Sequence, residues 1–329
     1  MAFKNTNVIA IFVLVLAVFG TCSNAQSLKV GFYKKTCPNV EAIVKKSTDT
    51  IFTSAPTLAA PLLRMHFHDC FVRGCDGSVL LNATTNSTTQ VEKDAIPNLS
   101  LRGFGSIDRI KSAVEKKCPG VVSCADILAL VARDATAFLK GPTWKVRLGR
   151  RDGRVSNFSD ALPNLPPPFF NITQLIASFA SKGLSTKDLV VLSGSHTVGT
   201  SHCSSFSNRL YNFTGVGDSD PSLDSEYIPR LTRKCSPTDQ TTLVEMDPGS
   251  FKTFDINYYT LVAKRRGLFT SDSTLLADSE TRAYIRRHAS SSGTSSFFKD
   301  FAASMIKMGN IEVLTGNDGE IRKRCAFVN

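Results

Sequence analysis

The chain has 329 residues, 42% of them hydrophobic and 20% charged, and its 39 Lys and Arg against 28 Asp and Glu give a formal charge of +11. A chain of this length can bury a large cofactor, within one large domain or between two lobes that share a core. The positive charge attracts polyanions, but the basic residues are dispersed and no basic-aromatic repeat interleaves them, which argues against nucleic acid and favours acidic extracellular polysaccharide.

Residues 1–25 carry Lys4, an apolar run over 8–19, and the small residues Ser23 and Ala25 in the arrangement that precedes a signal-peptidase cut. The run is too short for a membrane span, so 1–25 reads as a signal peptide rather than an N-terminal anchor, with Gln26 as the mature start. No later stretch is apolar enough to cross a bilayer, and an exported product is expected. Without Cys22, eight cysteines remain: Cys37, Cys70, Cys75, Cys118, Cys124, Cys203, Cys235 and Cys325. An even number in an exported chain predicts four disulfides of undetermined pairing, and a zinc cluster lacks any Cys-x-x-Cys pair. Sequons at Asn82, Asn86, Asn98, Asn157, Asn171 and Asn212 fit a glycosylating secretory route.

Helical periodicity dominates the remainder. It predicts helices over 40–52, 58–70, 104–117, 123–139, 172–181, 258–265, 281–289 and 296–308. Within 123–139, Cys124, Leu128, Val131, Ala135 and Phe138 recur at three- and four-residue steps behind Ser123 as N-cap, the pattern of a core helix. Ser185 and Asp188 make a capping box that opens a helix running on to His196. A short strand is expected at 144–148, and 165–168 is a rigid, extended connection. There is no internal repeat and no long linker. The expected fold is all-α with minimal β structure, the Pro-rich stretch separating an N-terminal lobe with His68 from a later lobe with His196, and a cleft between them.

Residues 64–70 read Arg-Met-His-Phe-His-Asp-Cys. On a helix Arg64 and His68 share a face at i and i+4 while His66 points away, so the pair forms one acid/base and charge-stabilising unit. A lone histidine is usually a satisfied core residue, but neither His68 nor His196 is alone. His196 is flanked by Gly194, Ser195, Thr197 and Gly199, small residues that let something flat approach. A hydrolase built on Ser195 lacks a Gly-x-Ser-x-Gly elbow. A non-catalytic, calcium-binding wall protein has no use for Arg64 with His68.

The stretch 64–75, Asn98, the stretch 191–199 and the ending 321–329 together resemble the secreted plant haem peroxidases (class III), over nearly the whole expected mature chain. The resemblance implies a haem peroxidase fold as a single domain over 26–329, with haem b as cofactor. It implies reduction of hydrogen peroxide coupled to one-electron oxidation of phenolic donors. His196 matches the proximal iron ligand and Asp272 the carboxylate that accepts its other N–H. His68 matches the distal base, Arg64 the fixed positive charge, and Asn98 with Glu92 the hydrogen-bond relay behind the base. Phe67 is expected over the haem edge, restricting access.

Two calcium ions are implied as well. The first would take Asp69, Asp76 and Ser78 with the Val72 and Gly74 carbonyls; the second would take Thr197, Asp247, Ser250, Asp255 and the Thr253 carbonyl. By similarity the cysteines pair 37 with 118, 70 with 75, 124 with 325 and 203 with 235, and Asp126 with Arg150 resembles a buried ion pair. Pro166 matches a residue whose carbonyl orients phenols, whereas Ile96, Val198 and Ser205 stand where the best-known member carries aromatic rings. The ending just past Cys325 carries no apolar or extra targeting tail, which favours an extracellular or wall location over vacuolar delivery. A monomer with no membrane or nucleic acid partner is expected.

Overall fold

Amphipathic repeats become helices because each buries one apolar stripe against its neighbours. The computed structural model describes residues 27–83, 89–289 and 293–329. The expected signal segment 1–25 and the Asn86 sequon lie outside the described residues.

In chain order the main helices are α1 (Val40–Ser54), α2 (Ala59–Val72), α3 (Phe104–Glu115), α4 (Cys124–Phe138), α5 (Phe158–Asn164), α6 (Ile172–Ser181) and α7 (Thr186–Ser193). There follow α8 (Asn208–Tyr211), α9 (Ile228–Thr232), α10 (Asn257–Ala263), α11 (Thr270–Ser273), α12 (Ser279–His288) and α13 (Thr294–Met308). About half of the structure is helical and very little is strand, so the fold is predominantly α. Two antiparallel pairs account for the strands: β1 (Lys29–Val30) with β2 (Arg147–Leu148), and β3 (Thr200–His202) with β4 (Leu243–Glu245).

The sequence signals and the elements agree where capping is local. Ser123 Oγ accepts the Asp126 amide at the start of α4, and Ser185 and Asp188 exchange side-chain bonds at the start of α7. The helix predicted to reach His196 is shorter than expected: α7 ends at Ser193, and His196 sits in a 3-10 turn over Gly194–Thr197. Gly and Ser favour this ending, because Ser195 Oγ bonds back to the Leu192 carbonyl, and a Cβ on Gly194 would lie 2.5 Å from Tyr259 Oη. The strand expected at 144–148 is confined to Arg147–Leu148.

α4 packs against both α2 and α1 to form the main core, where Leu62, Phe71, Leu128 and Val131 are buried. That core continues past the Pro-rich stretch to Val190, Tyr259 and Phe297. A smaller cluster around Phe206, Leu231 and Leu268 encloses one of the disulfides. Asp126 and Arg150 pair at 2.7 Å in the interior, and Arg150 also reaches the Gly309 carbonyl, tying α4 to the end of α13. Asp126 takes further bonds from Tyr33 Oη and the Gly149 amide, so its charge is fully satisfied.

Candidate active site

α2 brings Arg64 and His68 to one face. His68 is buried, with Nδ1 2.6 Å from Asn98 Oδ1. Asn98 Nδ2 in turn donates to the Glu92 main-chain carbonyl at 2.6 Å, so the asparagine oxygen must face the histidine and accept from it. That places the proton on Nδ1 and leaves Nε2 as the basic atom. Burial and then the Arg64 charge hold the His68 pKa well below the usual imidazole range.

The Glu92 side chain is not part of this chain of bonds. Its carbonyl serves Asn98, while both carboxyl oxygens are buried without a partner and burial raises the group to about 8. Arg64 donates to Ser100 Oγ and to the Pro97 carbonyl, each at 2.9 Å. It retains accessible surface, while the surrounding protein lowers its guanidinium to about 10. Phe67 stands edge-on to His68 and against Phe71, which packs on Phe179 of α6.

His196 enters from the 3-10 turn after α7. Its Nδ1 lies 2.8 Å from Asp272 Oδ1; the imidazole side chain is 35% exposed and the carboxylate behind it 2%. Asp272 also accepts Tyr258 Oη at 2.9 Å and the Phe269 amide. These bonds and the His196 charge keep the carboxylate below its usual range despite burial. With Nδ1 committed to Asp272, Nε2 is the His196 nitrogen left on the accessible side of the ring, the atom with which an imidazole can ligate a haem iron. The segment after it approaches α2 closely: a Cβ on Gly199, at φ +93°, would lie 3.1 Å from Ala60 Cβ, one turn before Arg64.

The two cation sites expected from sequence differ in how they are satisfied. Asp69 Oδ1 and Ser78 Oγ are buried and have no partner, while Asp69 Oδ2 accepts the Gly77 amide and Asp76 Oδ1 the Ser78 amide. Burial first, then the Asp76 charge, raises Asp69. Orphaned hard oxygens beside two acids fit a calcium ion. The Gly74 carbonyl already accepts the Asp76 amide and keeps a second lone pair, and Val72 ends α2 beside it. His66, Asp69 and Cys70 also gather ligand atoms within 4.8 Å, but the Cys70 sulfur is bonded to Cys75 and is no thiolate.

In the second cluster Thr197 Oγ1 bonds both Asp247 and Asp255, Ser250 Oγ bonds Asp255, and the Thr253 amide bonds the Ser250 carbonyl. Burial, then Asp255, raises Asp247 to about 6. Two acids without a basic partner again fit a cation.

Pro166 is half-buried in the connection after α5, and its carbonyl accepts no bond from the described residues, unlike those of Pro167 and Pro168. Ile96 is 71% exposed, Val198 is buried and Ser205 half-buried. Four disulfides are present: Cys37–Cys118, Cys70–Cys75, Cys124–Cys325 and Cys203–Cys235. Sequence reasoning missed Pro97, Ser100, Tyr258 and Asn257, which hold Arg64, Asp272 and Asp247; no local motif points to them, because each acts on a distant residue.

The peroxidase family model matches residues 44–291. Peroxidase 27 of Arabidopsis thaliana is 64% identical, covering 96% of this chain and 97% of its own length. Peroxidase 56 of the same plant is 61% identical over 93% and 92%, and Peroxidase 1 of Oryza sativa subsp. japonica 59% over 97% and 98%.

Proposed function

The chain belongs to the peroxidase family, among the plant class III haem enzymes, and from that membership we infer how its residues share the reduction of hydrogen peroxide. It is an oxidoreductase that carries haem and takes hydrogen peroxide as electron acceptor. The division of labour among residues, haem b as the form of the cofactor, calcium and a phenolic donor are our reading.

One observation carries it: two imidazoles, each with Nδ1 anchored, one by Asn98 and one by Asp272, so that each offers a bare Nε2 with a different duty. When bound, haem supplies the redox centre at which the peroxide O–O bond is cleaved. His196 would hold the iron, and the hydrogen bond to Asp272 makes its imidazole more electron-donating. His68 Nε2 accepts a proton from one peroxide oxygen and returns it to the other as that oxygen departs as water. It must start neutral, and its depressed pKa keeps it so well into the acid range. Arg64 places a fixed positive charge where the departing oxygen gains electron density, held at that point by Ser100 and Pro97. Lysine would not reproduce this two-pronged anchorage.

Calcium at Asp69 and at Thr197 would brace the residues adjacent to His68 and His196. Phenolic donors would approach the cleft edge at the free Pro166 carbonyl, past Phe67 and the aliphatic Ile96. The basic surface suits acidic polysaccharide, and we read the protein as an exported monomer; among the described residues no helix is long and apolar enough to cross a membrane.

An ultraviolet-visible spectrum of the purified protein tests the assignment. A Soret band that shifts on adding peroxide is expected. His196→Ala should lose the haem or its histidine ligation, whereas His68→Ala should keep the haem and react with peroxide about 10²–10⁴-fold more slowly, the usual worth of a positioned base. Wild-type rates in both variants would overturn the roles.

A further inference from the structure

We propose that Tyr258, Tyr259 and Tyr284 form an electron path from the His196 side of the cleft to the protein surface, and that Tyr284 is a second site of donor oxidation. This rests on the reading of His196 as the haem ligand. The His196 ring stands edge-to-face on Tyr258 at 5.8 Å between centroids. Tyr258 lies 5.3 Å from Tyr259, and Tyr259 lies 5.6 Å from Tyr284. No saturated side chain interrupts the row. The first two tyrosines are fully buried; Tyr284 is 6% exposed and donates its hydroxyl to Asp300 at 3.0 Å, and the Asp300 side chain is 24% exposed.

A phenol that loses an electron becomes a strong acid, so the oxidised form settles where a base can take the proton. Tyr259 donates to the Val190 main-chain carbonyl, which cannot keep one. Tyr258 donates to Asp272, but that carboxylate already accepts from His196 and the Phe269 amide. Tyr284 faces a carboxylate in contact with solvent, whose Oδ1 pairs with the exposed Lys187 at 2.8 Å while Oδ2 takes the tyrosine hydroxyl, and burial followed by Asp300 raises the Tyr284 pKa, so it stays protonated until the electron leaves.

The electron passes from Tyr284 through Tyr259 and Tyr258 to the oxidising equivalent that peroxide leaves at the cofactor. The Tyr284 O–H bond breaks and its proton moves to Asp300 Oδ2. A surface phenol then returns one electron, Asp300 returns the proton, and the phenol departs as a radical after giving its own proton to water. Donors of this class include phenols carried on polymers too large for the cleft. The neighbouring aromatic row through Phe297 and Phe301 to Trp144 is built on phenylalanine, which resists one-electron oxidation.

Packing alone would also place these rings together, so the test needs a readout that packing does not move. Holoenzyme is mixed with one equivalent of hydrogen peroxide and the spin trap 2-methyl-2-nitrosopropane, without donor, and adducts are located by mass spectrometry after digestion. The expected adduct is on Tyr284, absent in Tyr284→Phe and at least tenfold weaker on Tyr284 in Tyr259→Phe, with the Soret band intact in both. An adduct on Trp144 or elsewhere with Tyr284 unlabelled, or an undiminished yield in Tyr259→Phe, overturns the path. The spectrum of the same sample separates the two readings. Absence of histidine ligation would remove the His196 assignment and the path with it, whereas a histidine-ligated enzyme with unlabelled Tyr284 would remove the path alone.

Discussion

His66 and His68 lie two positions apart on α2, both buried, and different neighbours set their chemistry. His68 faces Asn98 and Arg64, while His66 lies beside Arg150 and the Cys70–Cys75 bridge, where burial and then the Arg150 charge lower it to about 3. Below the ordinary imidazole value near 6.5 the unfolded chain binds a proton that the folded one refuses. His66 therefore leaves stability intact above pH 6.5 and subtracts roughly 1.4 kcal/mol per pH unit as pH falls toward about 3. Denaturant titration of the wild type and His66→Gln at pH 7, 5.5 and 4.5 should show the two curves diverging by that slope; a constant gap would mean that His66 is not held neutral. Asn98 gives a second residue-scale test. Its Nδ2 is committed to the Glu92 carbonyl inside the protein, whereas Asn171 and Asn212 are exposed and engage only Oδ1. Peptide mapping should find glycans on Asn171 and Asn212 and none on Asn98; a glycan there would contradict its place behind His68.

At the scale of elements, the helices that carry their own start signals were readable in advance, because a cap is a contact between residues three apart. Ser123 and Ser185 both act as N-caps, as their spacing to Asp126 and Asp188 indicates. The turn over Gly194–Thr197 was not readable, since its shape depends on Gly194 resting against Tyr259. Short helices such as α8 and α11 are held by tertiary bonds rather than periodicity; Arg209 on α8 donates to the carbonyls of Gly267 and Leu268. The loop after α2 is another such case. Asp69 Oδ1 and Ser78 Oγ are unpartnered beside two buried acids, and in our proposal a cation offsets that charge next to α2. Calcium removal by chelator should lower peroxide reactivity by about tenfold or more, the usual effect of losing groups that orient a site. The loss should precede loss of helical circular dichroism, and calcium should restore it. Unchanged activity in a demonstrably calcium-free protein would discount the site.

Across the whole molecule, Cys124–Cys325 joins residues 201 apart and ties the start of α4 to the chain end, while Cys70–Cys75 closes a separation of only 5. Loop-closure entropy makes the first worth on the order of 5 kcal/mol and the second about 2 kcal/mol. Replacing each pair by serine and comparing denaturant midpoints should rank them in that order; equal losses would show that chain entropy is not what they contribute. The sequence by itself determined what depends on neighbours along the chain: the helical class, the caps, the shared face of Arg64 and His68, and the residue types that match a haem enzyme. Which cysteines meet and that Asp272 lies behind His196 from 76 positions away could be anticipated only through the resemblance, not from local pattern, and tertiary structure alone decided that Glu92 serves Asn98 through its carbonyl. Periodicity and capping act over a few residues, whereas these contacts close long loops, and only the packing of the whole core selects among the ways they could close.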